Sequence, residues 1–168
     1  MEELYSTRVE ELFWGGLLLA ITMAFHGMGM LFTVQWTNRL KSYFPAPPHL
    51  SVGLGVLITA SWLILLVHII EVAVWSNFFV WTKGMPNRSV SFYFALLQYT
   101  TVGSQLNLPL RWRLLEGMLA IAGLMTFAWS TSVLYTLAQD FQEEQLARHD
   151  ARARKGPAPS APTKPKAS

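Results

Sequence analysis

The chain of 168 residues is too apolar and too poor in charge to be a soluble domain. Hydrophobic residues make up 52% of it and charged residues only 14%, with a net charge of +3, whereas soluble domains carry about 25% charged residues. The charges fall in short clusters between long apolar runs, which is typical of an integral membrane protein surrounded by lipid. The chain contains no cysteine, which excludes disulfides and thiolate metal sites.

The first predicted membrane helix covers residues 12–34 and follows an acidic amino-terminal segment, residues 1–11. As a helix this run is about 34 Å long, which suffices to cross the hydrocarbon. The glutamates that precede it are unlike the basic start of a secretory signal peptide. His26 is interpreted as a packed histidine, and a polar loop is predicted over residues 35–50.

The second predicted membrane helix begins near Ser51 and ends near Trp81, where aromatic residues indicate the membrane interface. His68 and Glu71 lie three residues apart on this helix, so their side chains can meet. Ionisable groups at this depth are candidates for a proton-responsive or voltage-responsive element, or for half of a metal site. The alternative, which we take as the expectation, is a mutually satisfied polar pair that fixes this helix against its neighbours.

A short helix is predicted between the second and third spans. Residues 86–89 are typical of a helix start, and the apolar stretch 92–99 that follows is only about two turns long. It is too short to cross the bilayer, so we expect a re-entrant helix whose backbone is buried in protein or faces water.

The third membrane helix is predicted over residues 114–137. Residues 139–155 should prolong it into the cytoplasm, since they are polar and helix-forming. The last residues, 156–168, are rich in Pro, Ala, Ser and Lys and are predicted to be disordered.

Residues 99–104 read Tyr-Thr-Thr-Val-Gly-Ser and directly follow the short helix. With the helices around them, over residues 92–137, they resemble the potassium-channel pore-loop family. The resemblance implies that residues 51–138 form a pore module of outer helix, pore helix, filter and inner helix, with a hinge of the inner helix at Gly123. It also implies a selectivity filter, here called the filter segment, made of Thr100, Thr101, Val102, Gly103 and Ser104.

The filter segment departs from the family's pattern after Gly103. The family continues with an aromatic residue, a second glycine and commonly an aspartate, whereas this chain has Ser104, Gln105 and Leu106. Gln105 reaches positive φ only at a steric cost that glycine does not have. We therefore expect a wider outer filter with weak selectivity among monovalent cations, K⁺ or Na⁺.

The resemblance implies an all-α membrane protein with three transmembrane helices and one re-entrant pore helix, assembled as a homotetramer that conducts cations. Glu116 is expected at the outer vestibule, where it attracts cations or pairs with Arg113. Membrane lipid and further copies of the chain are the expected partners. We expect no nucleic-acid partner, no cofactor, no resident metal and no enzymatic activity, since no phosphate loop, zinc signature or nucleophile motif is present.

In the family the pore loop faces outward, which implies an extracellular amino terminus, a cytoplasmic carboxyl terminus and residence in the cell (inner) membrane. The first span would then be peripheral to the pore. Eight basic residues on the cytoplasmic side against five outside agree with the positive-inside rule. Two alternatives stay open: a non-conducting channel-like subunit, and a proton or metal carrier that uses His26, His68, Glu71 and Glu116.

Overall fold

The computed structural model describes residues 8–44 and 50–154. There are three long helices, α1 (Val9–Ser42), α2 (Leu50–Trp81) and α4 (Leu114–Arg154). The shorter α3 (Arg88–Tyr99) packs against α2 and α4, and a 3-10 turn, Leu110–Trp112, precedes α4. No strand occurs among these described residues. Each of the three long helices is long and apolar enough to cross a membrane. The predicted all-helical fold with three candidate membrane spans is therefore confirmed.

Helix α1 is longer at both ends than the sequence predicted. It begins at Val9, where the Glu11 carboxylate accepts a hydrogen bond from the Arg8 backbone N–H (3.1 Å), and acidic side chains favour a helix amino terminus. It continues to Ser42, so residues 35–42 of the predicted loop are helical. Polarity alone does not end a helix, and the prolines that would do so lie in residues 45–49, outside the described part.

Helix α4 continues beyond the predicted span. Residues 139–154 are helical and extend the third span without a break. Their cytoplasmic location stays a prediction, and the predicted disordered tail, residues 156–168, lies outside the described residues. Helix α3 begins where the sequence indicated, because the Asn87 side chain accepts a hydrogen bond from the Val90 N–H (2.9 Å) and caps the first turn.

Helices α1 and α4 run parallel to each other, and α2 runs antiparallel to both. At one end of the bundle Arg111 Nη2 lies 2.6 Å from Glu10 Oε1. At the other end Lys41 Nζ lies 3.2 Å from Glu144 Oε1. The end of α2 returns to the start of α1, where Trp81 meets Trp14 with ring centroids 5.8 Å apart. Apart from Glu71, the charged residues of the described helices thus lie toward the two ends of the bundle, with an apolar zone between them.

The buried face of α1 is polar and its outer face is apolar. Five of its buried residues are polar or charged: Glu11, Thr22, His26, Thr33 and Thr37. Its outward face exposes large apolar side chains: Leu17, Ile21, Met28, Leu31 and Phe32. A helix in water has the opposite arrangement. The outer surface of the bundle is therefore suited to lipid, and polar groups find their partners inside.

Helix α3 packs between α2 and α4 and does not extend along their full length. Near its start the Ser91 hydroxyl donates to the Ser76 carbonyl oxygen (2.8 Å), and Phe94 packs edge-to-face against Phe79. After Tyr99 the chain comes back to the first turn of α4, where the Leu108 N–H donates to Glu116 (2.6 Å). The end of α3 thus lies inside the bundle, whereas its start and the later part of its connection to α4 lie at one end of the bundle.

Gly123 allows α4 to approach the last turn of α3. A Cβ at this position would clash with the backbone carbonyl oxygen of Tyr99, which cannot move aside, whereas a Cβ at Gly117 on the same helix would meet nothing. We expect Gly123→Ala to destabilise the fold by about 1–3 kcal/mol. Gly117→Ala should leave stability unchanged or slightly raised. Thermal unfolding of the two variants in detergent checks this, and equal melting temperatures would contradict the close approach.

Candidate functional site

Six polar side chains from all four helices meet inside the bundle. We call them the buried polar cluster: His26 of α1, His68 and Glu71 of α2, Tyr99 of α3, and Thr126 and Ser130 of α4. Each has less than a tenth of its surface exposed. The cluster therefore joins the four helices through polar contacts that water does not reach.

Glu71 is the centre of the cluster. Its Oε1 lies 2.9 Å from His26 Nδ1, and its Oε2 accepts a hydrogen bond from the Tyr99 hydroxyl. His68, one turn earlier on α2, places Nδ1 3.5 Å from Oε2. The predicted His68 and Glu71 pair therefore forms. His26, which was interpreted as a packed histidine and joined to this pair only in the carrier alternative, contacts Glu71 from 45 residues away.

Tyr99 and Ser130 each connect several members of the cluster. The Tyr99 oxygen lies 2.7 Å from His68 Nδ1 and 2.6 Å from Thr126 Oγ1. Ser130 Oγ lies 3.2 Å from Nε2 of His26 and 3.0 Å from Nε2 of His68. The Ser130 hydroxyl thus contacts the Nε2 atom of both imidazole rings, while their Nδ1 atoms face the Glu71 carboxylate and the Tyr99 hydroxyl.

The surroundings of the cluster are apolar. The Trp129 ring lies 5.6 Å from His26, and the Phe127 ring lies 4.6 Å from His68, measured between centroids. Neither lysine nor arginine occurs in α2. A buried carboxylate in such a medium needs a partner cation or strong hydrogen bonds, and the histidines and Tyr99 provide them.

Glu116 lies apart from the cluster. It accepts the hydrogen bond of the Leu108 N–H, and its carboxylate is 4.0 Å from Arg113 Nε. The pairing with Arg113 is one of the two roles expected for it. The structure therefore brings together His26, His68 and Glu71 of the residues considered for a carrier, and it does not add Glu116 to them.

The filter segment leaves the end of α3 in an irregular conformation. Thr101 (φ 61°) and Gly103 (φ 79°) have positive φ, and Val102 between them does not. The Gly103 N–H donates to the Leu97 carbonyl oxygen (3.1 Å), and the Thr100 hydroxyl donates to that of Leu96 (2.8 Å). The helix end thus holds the filter segment in place.

No other part of residues 8–44 and 50–154 covers the exposed side of the filter segment. Thr101, Val102 and Gly103 are exposed, Val102 to 72% of its surface. Ser104 turns back on itself, since its Oγ accepts the hydrogen bond of the Leu106 N–H (3.0 Å). The backbone of residues 101–103 is therefore both non-helical and exposed.

The predicted hinge at Gly123 is a site of close contact in this structure. Helix α4 is continuous through it, and its lack of a side chain accommodates the Tyr99 carbonyl. Bending at this glycine stays a prediction. Thr126 and Ser130, which sequence reasoning did not place in a site, lie on the same face one and two turns further along; their only sequence signal is this four-residue spacing within an apolar helix.

No protein-family model, curated protein or solved structure matches this chain.

The Tyr99 hydroxyl is expected to be important for stability. Tyr99→Phe would remove one buried hydrogen-bond partner from Glu71 and one from His68, at a cost of about 1–3 kcal/mol. Tyr135→Phe is the matched control, because Tyr135 is 63% exposed and bonds only Gln139 among the contacts described. Thermal unfolding in detergent should show a lower melting temperature for Tyr99→Phe alone; an equal effect of both would contradict this role.

Proposed function

We propose that the chain assembles as a homotetrameric pore-loop channel and conducts monovalent cations, with residues 101–103 of each copy around a common axis. The observation that carries the proposal is an exposed, non-helical backbone directly after Tyr99, which by the contacts of Tyr99 would lie in the membrane interior. Such a backbone is not stable against lipid, because lipid cannot satisfy its peptide groups.

The depth of the filter segment is argued from the contacts of Tyr99. The tyrosine hydroxyl meets Glu71, and Glu71 precedes Trp81, the last residue of α2, by ten positions, or about 15 Å along a helix. Trp81 lies beside Trp14, near the charged residues at that end of the bundle. Thr101, two residues after Tyr99, would then lie well inside the hydrocarbon, and a re-entrant path for α3 is the geometry that this supports.

Further copies of the chain and a water-filled axis would cover the exposed backbone. Carbonyl oxygens and a threonine hydroxyl can replace the water shell of a cation. The carboxyl end of α3, which carries the negative end of the helix dipole, would point toward this axis and favour cations there. The resemblance to pore-loop channels supplies the number of copies, four.

Weak selectivity follows from the residues after Gly103. Gln105 and Leu106 are exposed, and neither continues the alternation of backbone conformation that begins at Thr101. Two ion sites at the inner part of the filter are therefore supported better than a complete row. We expect K⁺ and Na⁺ to permeate at rates within about tenfold of each other, a ratio that corresponds to about 1.4 kcal/mol.

Cation flux into liposomes tests the proposal. Gly103 has φ of 79° with open space around it, so Gly103→Ala strains the filter backbone without a clash, whereas Gly16→Ala changes an uncrowded helical position in α1. We expect Gly103→Ala to reduce K⁺ and Na⁺ flux at least tenfold and Gly16→Ala to leave both unchanged. Absence of flux from a tetrameric native protein would instead favour the non-conducting subunit, and a monomer or dimer would contradict the assembly.

The orientation is tested by single cysteines, since the chain has none of its own. Asn107 is exposed near the filter segment, and Ser42 is exposed at the carboxyl end of α1, which lies at the other end of the bundle. A membrane-impermeant maleimide should label Asn107→Cys on intact cells, and Ser42→Cys only after lysis. The reverse pattern would place the filter segment on the cytoplasmic side.

A further inference from the structure

The buried polar cluster has one proton fewer than its contacts require. With neutral imidazoles and an ionised Glu71, each of the other five members carries one proton, but six hydrogen-bond contacts join the members. Ser130 shows the shortage most clearly: its single proton can go to only one of the two Nε2 atoms beside it, so the other Nε2 must donate to Ser130.

The missing proton leaves the lone pair of one histidine nitrogen facing the Glu71 carboxylate. A neutral histidine that donates from Nε2 has a bare Nδ1. The Nδ1 atoms of His26 and His68 face Glu71 at 2.9 and 3.5 Å. Because Ser130 donates to only one Nε2, one of these two Nδ1 atoms is bare, and its lone pair and the carboxylate repel in an apolar medium unless a cation lies between them. One added cation, either a proton or a metal ion, would therefore complete the cluster.

The donor atoms fit a transition-metal ion. One ligand atom from each of His26, His68 and Glu71 lies within 4.8 Å of the others. Ligands around tetrahedral zinc lie 2.0–2.2 Å from the metal and hence about 3.3 Å apart. The Nδ1 atoms of His26 and His68 lie 2.9 and 3.5 Å from oxygens of Glu71, close to this spacing. Two imidazoles and one carboxylate suit zinc, whereas magnesium and calcium require oxygen ligands.

We propose that His26, His68 and Glu71 form a binding site for one divalent transition-metal ion, Zn²⁺ above all, inside each protomer. Binding releases the additional proton that the cluster holds without metal. Ser130 then accepts the Nε2–H of both histidines and fixes the tautomer in which both Nδ1 atoms bind the metal, a positioning role that carboxylates or carbonyls often play. The Tyr99 oxygen, 2.7 Å from His68 Nδ1, lies beside the same three residues and would supply the fourth ligand.

The site connects α1 to the end of α3. Glu71 and His68 belong to α2, His26 to α1, and Tyr99 immediately precedes the filter segment. The metal site rests on one chain alone and does not depend on the proposed channel activity. Its test uses binding and no flux, so that failure of either proposal is distinguishable from failure of the other.

Zinc binding to the purified full-length chain in detergent tests the site. The chain has four histidines, so the background is His49→Gln/His149→Gln with an affinity tag that contains no histidine, in which the cluster supplies both remaining imidazoles. Equilibrium dialysis followed by elemental analysis should give one zinc per chain. Glu71→Gln or His26→Gln in this background should weaken binding more than a hundredfold, and excess Mg²⁺ should not compete.

Two further measurements cover variants that fail to fold. Ser130→Ala leaves every ligand in place and should weaken zinc binding by about 10–100-fold, as loss of a positioning partner does. Co²⁺ bound to the background chain should give the visible absorption of a tetrahedral site, and X-ray absorption of the zinc form should show nitrogen and oxygen ligands only. Zinc affinity should fall as pH falls, because protons compete with the metal for the ligand atoms. The titratable groups that face the site are His26 of α1, His68 and Glu71 of α2, and Tyr99 of α3, with none from α4 among the described contacts.

Absence of zinc from the background chain, or equal zinc binding by it and by Glu71→Gln, would overturn the proposal. The cluster would then hold a proton only.

Discussion

The structure depends on the hydrogen bond between the Tyr99 hydroxyl and the Glu71 carboxylate. It is the contact that holds the end of α3 against α2 inside the bundle. Because a charged group without a partner is very costly in an apolar medium, Glu71 strongly favours the position of α3 that brings Tyr99 to it. His26 and Ser130 extend the same constraint to α1 and α4. A polar cluster thus acts as the core that orders apolar helices.

Apolar packing alone would not specify this arrangement. Between helices in lipid the hydrophobic effect gives little preference for one face over another, so small residues and buried polar groups decide which faces meet. Gly123 lets α4 reach the backbone of α3, and Trp75 donates to Thr22 (2.9 Å) to join α2 to α1. The buried face of α1, whose residues are mostly polar, likewise determines which side of this helix faces the bundle.

The two proposals share this architecture. The cluster lies directly behind the filter segment, so the groups that would bind a metal are also those that hold the last turn of α3. Thr100 and Gly103 bond back to that turn, which leaves the 101–103 backbone exposed and fixed at once. In a channel, this arrangement would provide a rigid support for peptide groups that contact ions, and a change in the cluster would be transmitted to them over two residues.

The sequence by itself determined the three apolar helices, the short helix between the second and third, and the meeting of His68 with Glu71, because hydropathy, helix-start residues and a three-residue spacing are local properties. Local polarity also led to one error, the loop that was predicted to begin at residue 35 although α1 continues to Ser42. Only the tertiary structure decided that His26, Tyr99 and Ser130 join Glu71 and that Glu116 does not. These contacts connect residues 28 to 104 positions apart, and no periodicity in the chain encodes which helix faces meet in lipid.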